Sequence, residues 1–225
     1  MNILSSYPNL KGFIVIVTYG RSGSTILQRI VQTIPGSCIR GENNGAINPL
    51  FRAYQRAKRA RFHFGKSPTE PINPWFGAER IQLDSYSRGL AGNFIEHILN
   101  PPPDARWVGF KEIRFAELAD DFDEALNFIR ASFPNTHFIF NKRNAEAVSQ
   151  SSWHKNEPKE DVVNMVKTMD ERFSMYAQKN PENTFISNHE RTISDYRYLK
   201  TFFDQCNEPF EEKLIEKILS QPLTH

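Results

Sequence analysis

The sequence is poor in cysteine and lacks a long apolar run. Its 225 residues contain two cysteines, Cys38 and Cys206. Two thiols are too few for a disulfide framework, and they lack the paired spacing of a zinc site. No stretch of about 18 apolar residues is present, and residues 1–6 lack the charged and then apolar pattern of a signal peptide. The sequence therefore predicts a chain of the reducing cytoplasm without a stable membrane insertion.

The sequence also lacks a large excess of positive or negative charge. The formal net charge is +2 at pH 7, which is too small to indicate nucleic-acid binding. The length suits one α/β domain, so we expect a single domain over residues 1–225, whose oligomeric state stays open, with a homo-oligomer possible. Apolar strand patterns alternate with helical patterns along the chain. This alternation predicts a parallel β-sheet flanked by helices on both faces.

A lysine is also absent from residues 18–25, which have the composition of a phosphate-binding loop. Residues 18–25 read TYGRSGST and connect the apolar run 13–17 to a helical pattern. Small residues keep such a turn narrow, so that backbone N–H groups and the positive end of the next helix meet at one anion. The usual nucleotide triphosphatase has Gly-Lys-Ser/Thr here. In this chain Ser24 precedes Thr25, and the cation is Arg21.

A second combination of strand, cationic loop and helix occurs later in the chain. The apolar residues 137–140 lead to Asn-Lys-Arg-Asn and to a helical pattern over 145–154. Arg143 ends the strand, and Ser151 lies two helical turns further on. A guanidinium fork together with a hydroxyl suits a phosphate monoester. An ion pair between Arg143 and Glu146, with Ser151 exposed, is the alternative.

Together the two segments resemble the nucleotide loops of the sulfotransferase family, which uses 3′-phosphoadenosine 5′-phosphosulfate (PAPS) as sulfuryl donor. With a closing region similar to that of bacterial sulfotransferases, the resemblance covers roughly residues 12–220. It implies the P-loop NTPase-like sulfotransferase fold, and it implies that Arg143 and Ser151 hold the 3′-phosphate. The residues that it implies for the 5′-phosphate are Arg21, Ser22, Gly23, Ser24 and Thr25. No metal is expected, because the donor presents a monophosphate at this end.

Sulfuryl transfer also needs a positive charge at the leaving phosphate and a base for the acceptor hydroxyl. Arg21 is the candidate for the charge. Glu42 stands at the position that the resemblance associates with the base, and Lys111 is the candidate helper near the transferred group. A structural role for Glu42, as a carboxylate at a helix N-terminus or as the partner of Arg40, is the alternative.

Other bases remain open at this point. Glu112 follows Lys111, and neighbouring side chains on a strand point to opposite faces, so both are not expected in one cleft unless the strand ends between them. A histidine at position 63, 97 or 154 is a further alternative. The histidine segment that animal cytosolic sulfotransferases use is not recognisable in the sequence.

The acceptor is expected to bind the long irregular stretch 41–104. Cations and aromatic residues are concentrated over residues 52–76, which suits a sugar ring that carries negative charge, although a solvated amphipathic helix has the same pattern. The sequence thus predicts sulfuryl transfer from PAPS to a hydroxyl of a saccharide or glycosylated metabolite, a small-molecule partner rather than a nucleic acid. A P-loop kinase-like phosphotransferase and a non-catalytic nucleotide-binding protein are the alternatives.

Overall fold

The centre of the fold is a sheet of five parallel strands. The structure, a computed structural model, describes residues 7–151, 154 and 156–221. The strand order is β2-β3-β1-β4-β5, and all four pairings are parallel. The strands are β1 (Gly12–Val17), β2 (Ser37–Arg40), β3 (Trp107–Glu112), β4 (Thr136–Lys142) and β5 (Thr184–Asn188). The predicted parallel α/β sheet is confirmed.

Helices connect the strands. The α-helices are α1 (Ser24–Val31), α2 (Ile47–Arg59), α3 (Leu83–Asn93), α4 (Phe122–Ser132), α5 (Ala145–Ser149), α6 (Lys159–Lys179), α7 (His189–Ser194), α8 (Lys200–Gln205) and α9 (Glu212–Leu219). Two π-helical turns, Ala60–Phe64 and Phe94–Leu99, extend α2 and α3. Short 3-10 segments are Ala78–Arg80, Arg114–Asp121, Pro181–Asn183 and Tyr196–Leu199. None of these helices, over the described residues, is both long and apolar enough to cross a membrane.

The core has two parts, one on each face of the sheet. Successive side chains of a strand point to opposite faces, and β1 is buried on both: Phe13, Val15 and Val17 belong to one cluster, and Ile14 and Ile16 to the other. The first cluster is rich in phenylalanine and packs α4 and α6 against the sheet. The second packs α1, α8 and α9. A sheet covered on both faces explains why β1 is a continuous apolar run.

Two sequence-based predictions of helix extent are wrong. The helix after Arg143 ends at Ser149 instead of reaching 154. The hydroxyls of Ser149 and Ser151 donate to carbonyls three residues earlier, which competes with the helical pattern. Residues 152 and 153 of the predicted helix lie outside the described residues, as do residues 1–6.

The closing segment also differs from the two helices expected near 194–204 and 209–220. It forms α7, a 3-10 turn, α8 and α9. Asp195 has φ −152° and ψ 73°, which is not helical, so it separates α7 from the turn that follows.

Candidate active site

The carboxyl ends of the central strands border one cavity of about 550 Å³. In an open parallel sheet this edge is where ligands bind. The cavity is lined by Gly20, Arg21, Ser22, Gly23, Ser24, Thr25, Ile26, Glu42, Lys111, Ile113, Arg143 and His189. The structure thus brings together every residue predicted for the site except Ser151. That residue does not line the cavity, and its hydroxyl donates to the Val148 carbonyl at 2.7 Å.

The loop after β1 presents the start of α1 to this cavity. Gly23 precedes α1 with φ 75°, a left-handed conformation that favours glycine. A Cβ at this position would lie 2.2 Å from Nδ1 of His189, so glycine is required for space as well. Within the described part of the chain no side chain caps α1, and its first turn has no acidic residue. The N–H groups of Ser24 and Thr25 are therefore available to an anion, whereas that of Ile26 donates to the Gly23 carbonyl at 3.1 Å.

Buried hydrogen bonds attach the loop to the neighbouring strands. The Thr18 hydroxyl lies 2.7 Å from Oγ of Ser22, and Asn141 at the end of β4 donates from Nδ2 to the Ser22 carbonyl at 2.9 Å. Ser187 of β5 in turn donates to Oδ1 of Asn141 at 3.2 Å. These bonds fix the loop in place, and the Ser22 carbonyl accepts its hydrogen bond from Asn141.

Two arginines meet where the loops adjoin. Arg21 is exposed and has φ 61°, a left-handed conformation uncommon for a side chain of this size. Its carbonyl accepts a hydrogen bond from Nη1 of Arg143 at 2.8 Å. The Nε atom of Arg143 is buried and has no hydrogen-bond partner among the described residues. A buried donor without an acceptor is costly, and Arg143 is one of the residues that line the cavity.

Tyr19 connects the backbone of Arg143 to the first loop. The Arg143 N–H donates to the Tyr19 hydroxyl at 2.8 Å, and that hydroxyl lies 3.1 Å from both the Arg143 carbonyl and Oδ1 of Asp170. Burial, with the negative charge of Asp170 second, raises the pKa of Tyr19 far above its usual value. Tyr19 therefore stays a neutral hydroxyl that positions Arg143.

Glu42 and Lys111 form an ion pair at the opposite wall of the cavity. The Lys111 Nζ atom lies 2.5 Å from Oε1 of Glu42. The lysine side chain is 7% exposed and the glutamate side chain 41% exposed, so the carboxylate is the accessible partner. Arg40 instead donates to the carbonyls of Leu99 and Asn100, which removes it as the partner of Glu42. Glu42 also precedes the first turn of α2, which begins at Ile47.

Glu112 has a different position from Lys111, as strand alternation predicts. It is fully buried, and its carboxylate accepts four backbone N–H groups. Oε2 accepts from Asn43 at 3.1 Å and Gly45 at 2.7 Å, and Oε1 accepts from Ile113 at 2.8 Å and Arg114 at 3.1 Å. Glu112 thus holds the loop that follows Glu42, and it does not line the cavity.

His189 is a titratable cavity residue that was not predicted for the site from the sequence. None of the three histidines considered as bases lines the cavity, whereas His189 does. Burial first, and the charge of Arg143 second, lower the pKa of His189 below its usual value. Its ring is therefore mostly neutral at pH 7. The available signal was its place directly after β5, whose carboxyl end lies at the same edge of the sheet.

Among the described residues no group of three or more His, Cys, Asp or Glu side chains is arranged to hold a metal ion.

The chain is similar to known proteins in sequence profile and in fold. The sequence profile of the sulfotransferase family matches residues 14–179, more than half of the chain. The structure is similar to the sulfotransferase domain of the olefin synthase from Synechococcus PCC 7002, at 14% identity and TM-score 0.60. It is also similar to the sulfotransferase domain from the curacin biosynthetic pathway, at 16% identity and TM-score 0.56. Each similarity covers 95% of this chain and 79% of the other.

At these identities the structural similarities establish the fold, and the profile match establishes the family. None of the curated protein sequences matches the chain. The P-loop-like arrangement of strand, loop and helix and the matched profile together mean that the chain belongs to the sulfotransferase family.

Proposed function

We propose that the protein transfers a sulfuryl group from PAPS to a hydroxyl of a saccharide or glycosylated metabolite. The observation that carries the proposal is one cavity that contains the loop over Arg21–Thr25, the guanidinium of Arg143 and the pair of Glu42 and Lys111. Its volume lies within the usual range for small-molecule sites. An anion-binding loop, a second cationic position and a carboxylate are the groups that this transfer needs.

The first loop and Arg143 fit the two phosphates of the donor. The uncapped start of α1 and the hydroxyls of Ser24 and Thr25 would hold the 5′-phosphate. Arg143 would hold the 3′-phosphate, with its buried Nε as a donor that still needs an acceptor. Ser151 remains part of the proposal as a second donor, which would require its hydroxyl to leave the Val148 carbonyl.

The chemical step is assigned to three side chains. Glu42 would take the proton of the acceptor hydroxyl as the oxygen of that hydroxyl bonds to sulfur. Lys111 holds Oε1 of Glu42, and Oε2 has no hydrogen-bond partner within the described residues, so it is the oxygen free to accept that proton. Arg21 would stabilise the negative charge that gathers on the phosphate oxygen when its bond to sulfur breaks. A positioned base contributes about 10²–10⁴ in rate, and one electrostatic donor about 10²–10³.

The acceptor would bind through residues 41–104. This range supplies Glu42 and the helices α2 and α3. The saccharide class rests on the aromatic residues of the stretch 52–76, since five of the six cations there line a separate cavity. A panel of saccharides and glycosylated metabolites is therefore the first acceptor set to assay.

Binding of the nucleotide product tests the donor. Adenosine 3′,5′-bisphosphate at about 100 times its dissociation constant should add about 2.7 kcal/mol of stability in a thermal-shift titration. Arg143→Ala should abolish this shift, whereas Arg88→Ala, which removes an exposed arginine outside the cavity, should leave it intact. Equal or greater stabilisation by ATP with Mg²⁺ would instead favour a kinase-like protein.

Turnover tests the base. Glu42→Gln should keep the bisphosphate affinity and lower the transfer of radiolabelled sulfate from PAPS by about 10²–10⁴. Near-normal turnover in this variant would remove Glu42 from the mechanism. Bisphosphate binding without transfer to any acceptor, in the unaltered protein, would favour a non-catalytic nucleotide-binding protein.

A further inference from the structure

A second cavity, of about 680 Å³, lies along α2 and the π-helical turn that follows it. We call it the cationic cavity, and it is lined by Arg52, Gln55, Arg56, Lys58, Arg59, Phe62, His63, Lys66 and Glu124. None of these residues lines the cavity of about 550 Å³ at the carboxyl ends of the strands, which we call the phosphate-loop cavity. The cations that line this cavity are therefore separate from the phosphate-loop cavity.

Two of the cations are neutralised by α4 and the segment before it. Arg52 pairs with Asp121, and Lys58 pairs with Glu124 at 2.7 Å. The hydrogen bonds from Lys58 and then from Gln55 lower the pKa of Glu124, so this carboxylate is charged near neutral pH. These two cations attach α2 to its neighbours and leave little charge for a ligand.

The other three cations have no counterion. Arg56, Arg59 and Lys66 are exposed, and no described residue forms an ion pair or hydrogen bond with their side chains. Arg56 and Arg59 are three residues apart on α2, a spacing that places like charges side by side and destabilises a helix. The segment 52–80 has seven Lys and Arg against two Asp and Glu, although the whole chain has a net charge of +2. Positive charge is thus concentrated here, and Arg56, Arg59 and Lys66 supply its uncompensated part.

An apolar group lies beside these charges. Phe62 lines the cationic cavity and is 59% exposed. It belongs to the π-helical turn, and Gly65, which ends that turn, packs so closely on Ala78 that a Cβ would lie 2.5 Å from its carbonyl carbon. This contact fixes where the chain leaves the turn and brings Lys66 back to the cavity.

We propose that the cationic cavity is a second binding site, for a molecule with two or more sulfate or phosphate ester groups attached to a ring or chain that packs on Phe62. Guanidinium groups donate in a planar fork that matches such oxyanions, and Lys66 supplies a third charge. The ligand is either a soluble polyanion or the headgroup of an anionic lipid. The site is independent of the proposed sulfuryl transfer, because it shares no residue with the phosphate-loop cavity.

Sucrose octasulfate, a polyanion on a sugar ring, is the probe for calorimetric titration. The cavity variant combines Arg56→Gln, Arg59→Gln and Lys66→Gln. Its control combines Lys167→Gln, Lys213→Gln and Lys217→Gln, which removes the same charge from exposed lysines elsewhere. A third variant, Arg21→Ala with Arg143→Ala, removes the two arginines of the phosphate-loop cavity and leaves the cationic cavity intact.

We expect the cavity variant to lose affinity for the probe by about a hundredfold or more, since each hydrogen bond to a charged group contributes about a factor of ten. The lysine control and the phosphate-loop variant should each change the affinity for the probe by less than about threefold. Flotation with vesicles that contain a phosphatidylinositol bisphosphate, against vesicles of phosphatidylcholine alone, distinguishes a lipid headgroup from a soluble source. All the altered side chains of the cavity variant are exposed, and Arg59→Gln alone serves if the triple variant is unstable.

Three outcomes would overturn the proposal. One is an unaltered protein that binds neither the probe nor the anionic vesicles. Another is an equal loss in the cavity variant and its lysine control, which would mean non-specific attraction by net charge. The last is a loss confined to the phosphate-loop variant, which would place the probe in that cavity.

Discussion

Glu112→Gln tests whether a buried carboxylate organises the loop that carries Glu42. The glutamate accepts four backbone N–H groups, two on each oxygen. An amide replaces one of these oxygens by a donor, so two N–H groups lose their acceptor. Each such loss costs about 1–3 kcal/mol, which gives a destabilisation of about 2–6 kcal/mol. That is a large part of the usual stability of a domain.

Urea unfolding followed by circular dichroism measures this cost. Glu117→Gln is the matched control, because Glu117 is an exposed partner of Arg114 and its loss should cost less than about 1 kcal/mol. Where Glu112→Gln remains folded, it should bind adenosine 3′,5′-bisphosphate normally and transfer sulfate slowly, since only the Glu42 loop is displaced. A destabilisation below about 1 kcal/mol would show that Glu112 does not hold this loop.

Three further changes are expected to have distinct effects. Tyr19→Phe removes the acceptor of the Arg143 N–H and should weaken bisphosphate binding about tenfold in calorimetry, with little change in kcat; unchanged affinity would contradict a positioning role. Glu208→Ala leaves the buried indole N–H of Trp107 without its acceptor and should cost about 1–3 kcal/mol in urea unfolding, against which an unchanged stability would count. Burial lowers the pKa of His137, so the unfolded chain binds a proton more readily than the folded chain. Stability should therefore fall as pH decreases below about 6.5. His137→Gln should flatten this dependence, and an unchanged pH profile in the variant would exclude His137 as its cause.

The parts of the site that follow strands could be predicted from the sequence. The loop after β1 and the end of β4 have apolar runs before them, and the ends of parallel strands meet at one edge. The placement of Arg21 and Arg143 in one cavity follows from this rule. The opposite orientation of Lys111 and Glu112 follows from strand alternation, even though their sequence neighbourhood offers both as candidates.

The parts that depend on long-range packing could not be predicted. His189 enters the cavity because Gly23 leaves room for its ring, and no local pattern encodes that contact. Ser151 lies eight residues beyond Arg143, yet the intervening helix ends early through hydroxyl bonds to its own backbone. The separation of the cationic cavity from the phosphate-loop cavity depends on how α2 packs on α4, which charge counting along the chain does not reveal.

The bonds that join Thr18, Ser22, Asn141 and Ser187 carry a consequence for mutational tolerance. Asn141 and Ser187 are buried under the loop, away from the lining of the cavity, and yet the loop carbonyl depends on them. In a saturation screen scored on nucleotide binding, both positions should tolerate as few substitutions as the loop residues themselves. Two of these four residues therefore lie on other strands, β4 and β5. A sequence signature limited to the loop would include only the other two.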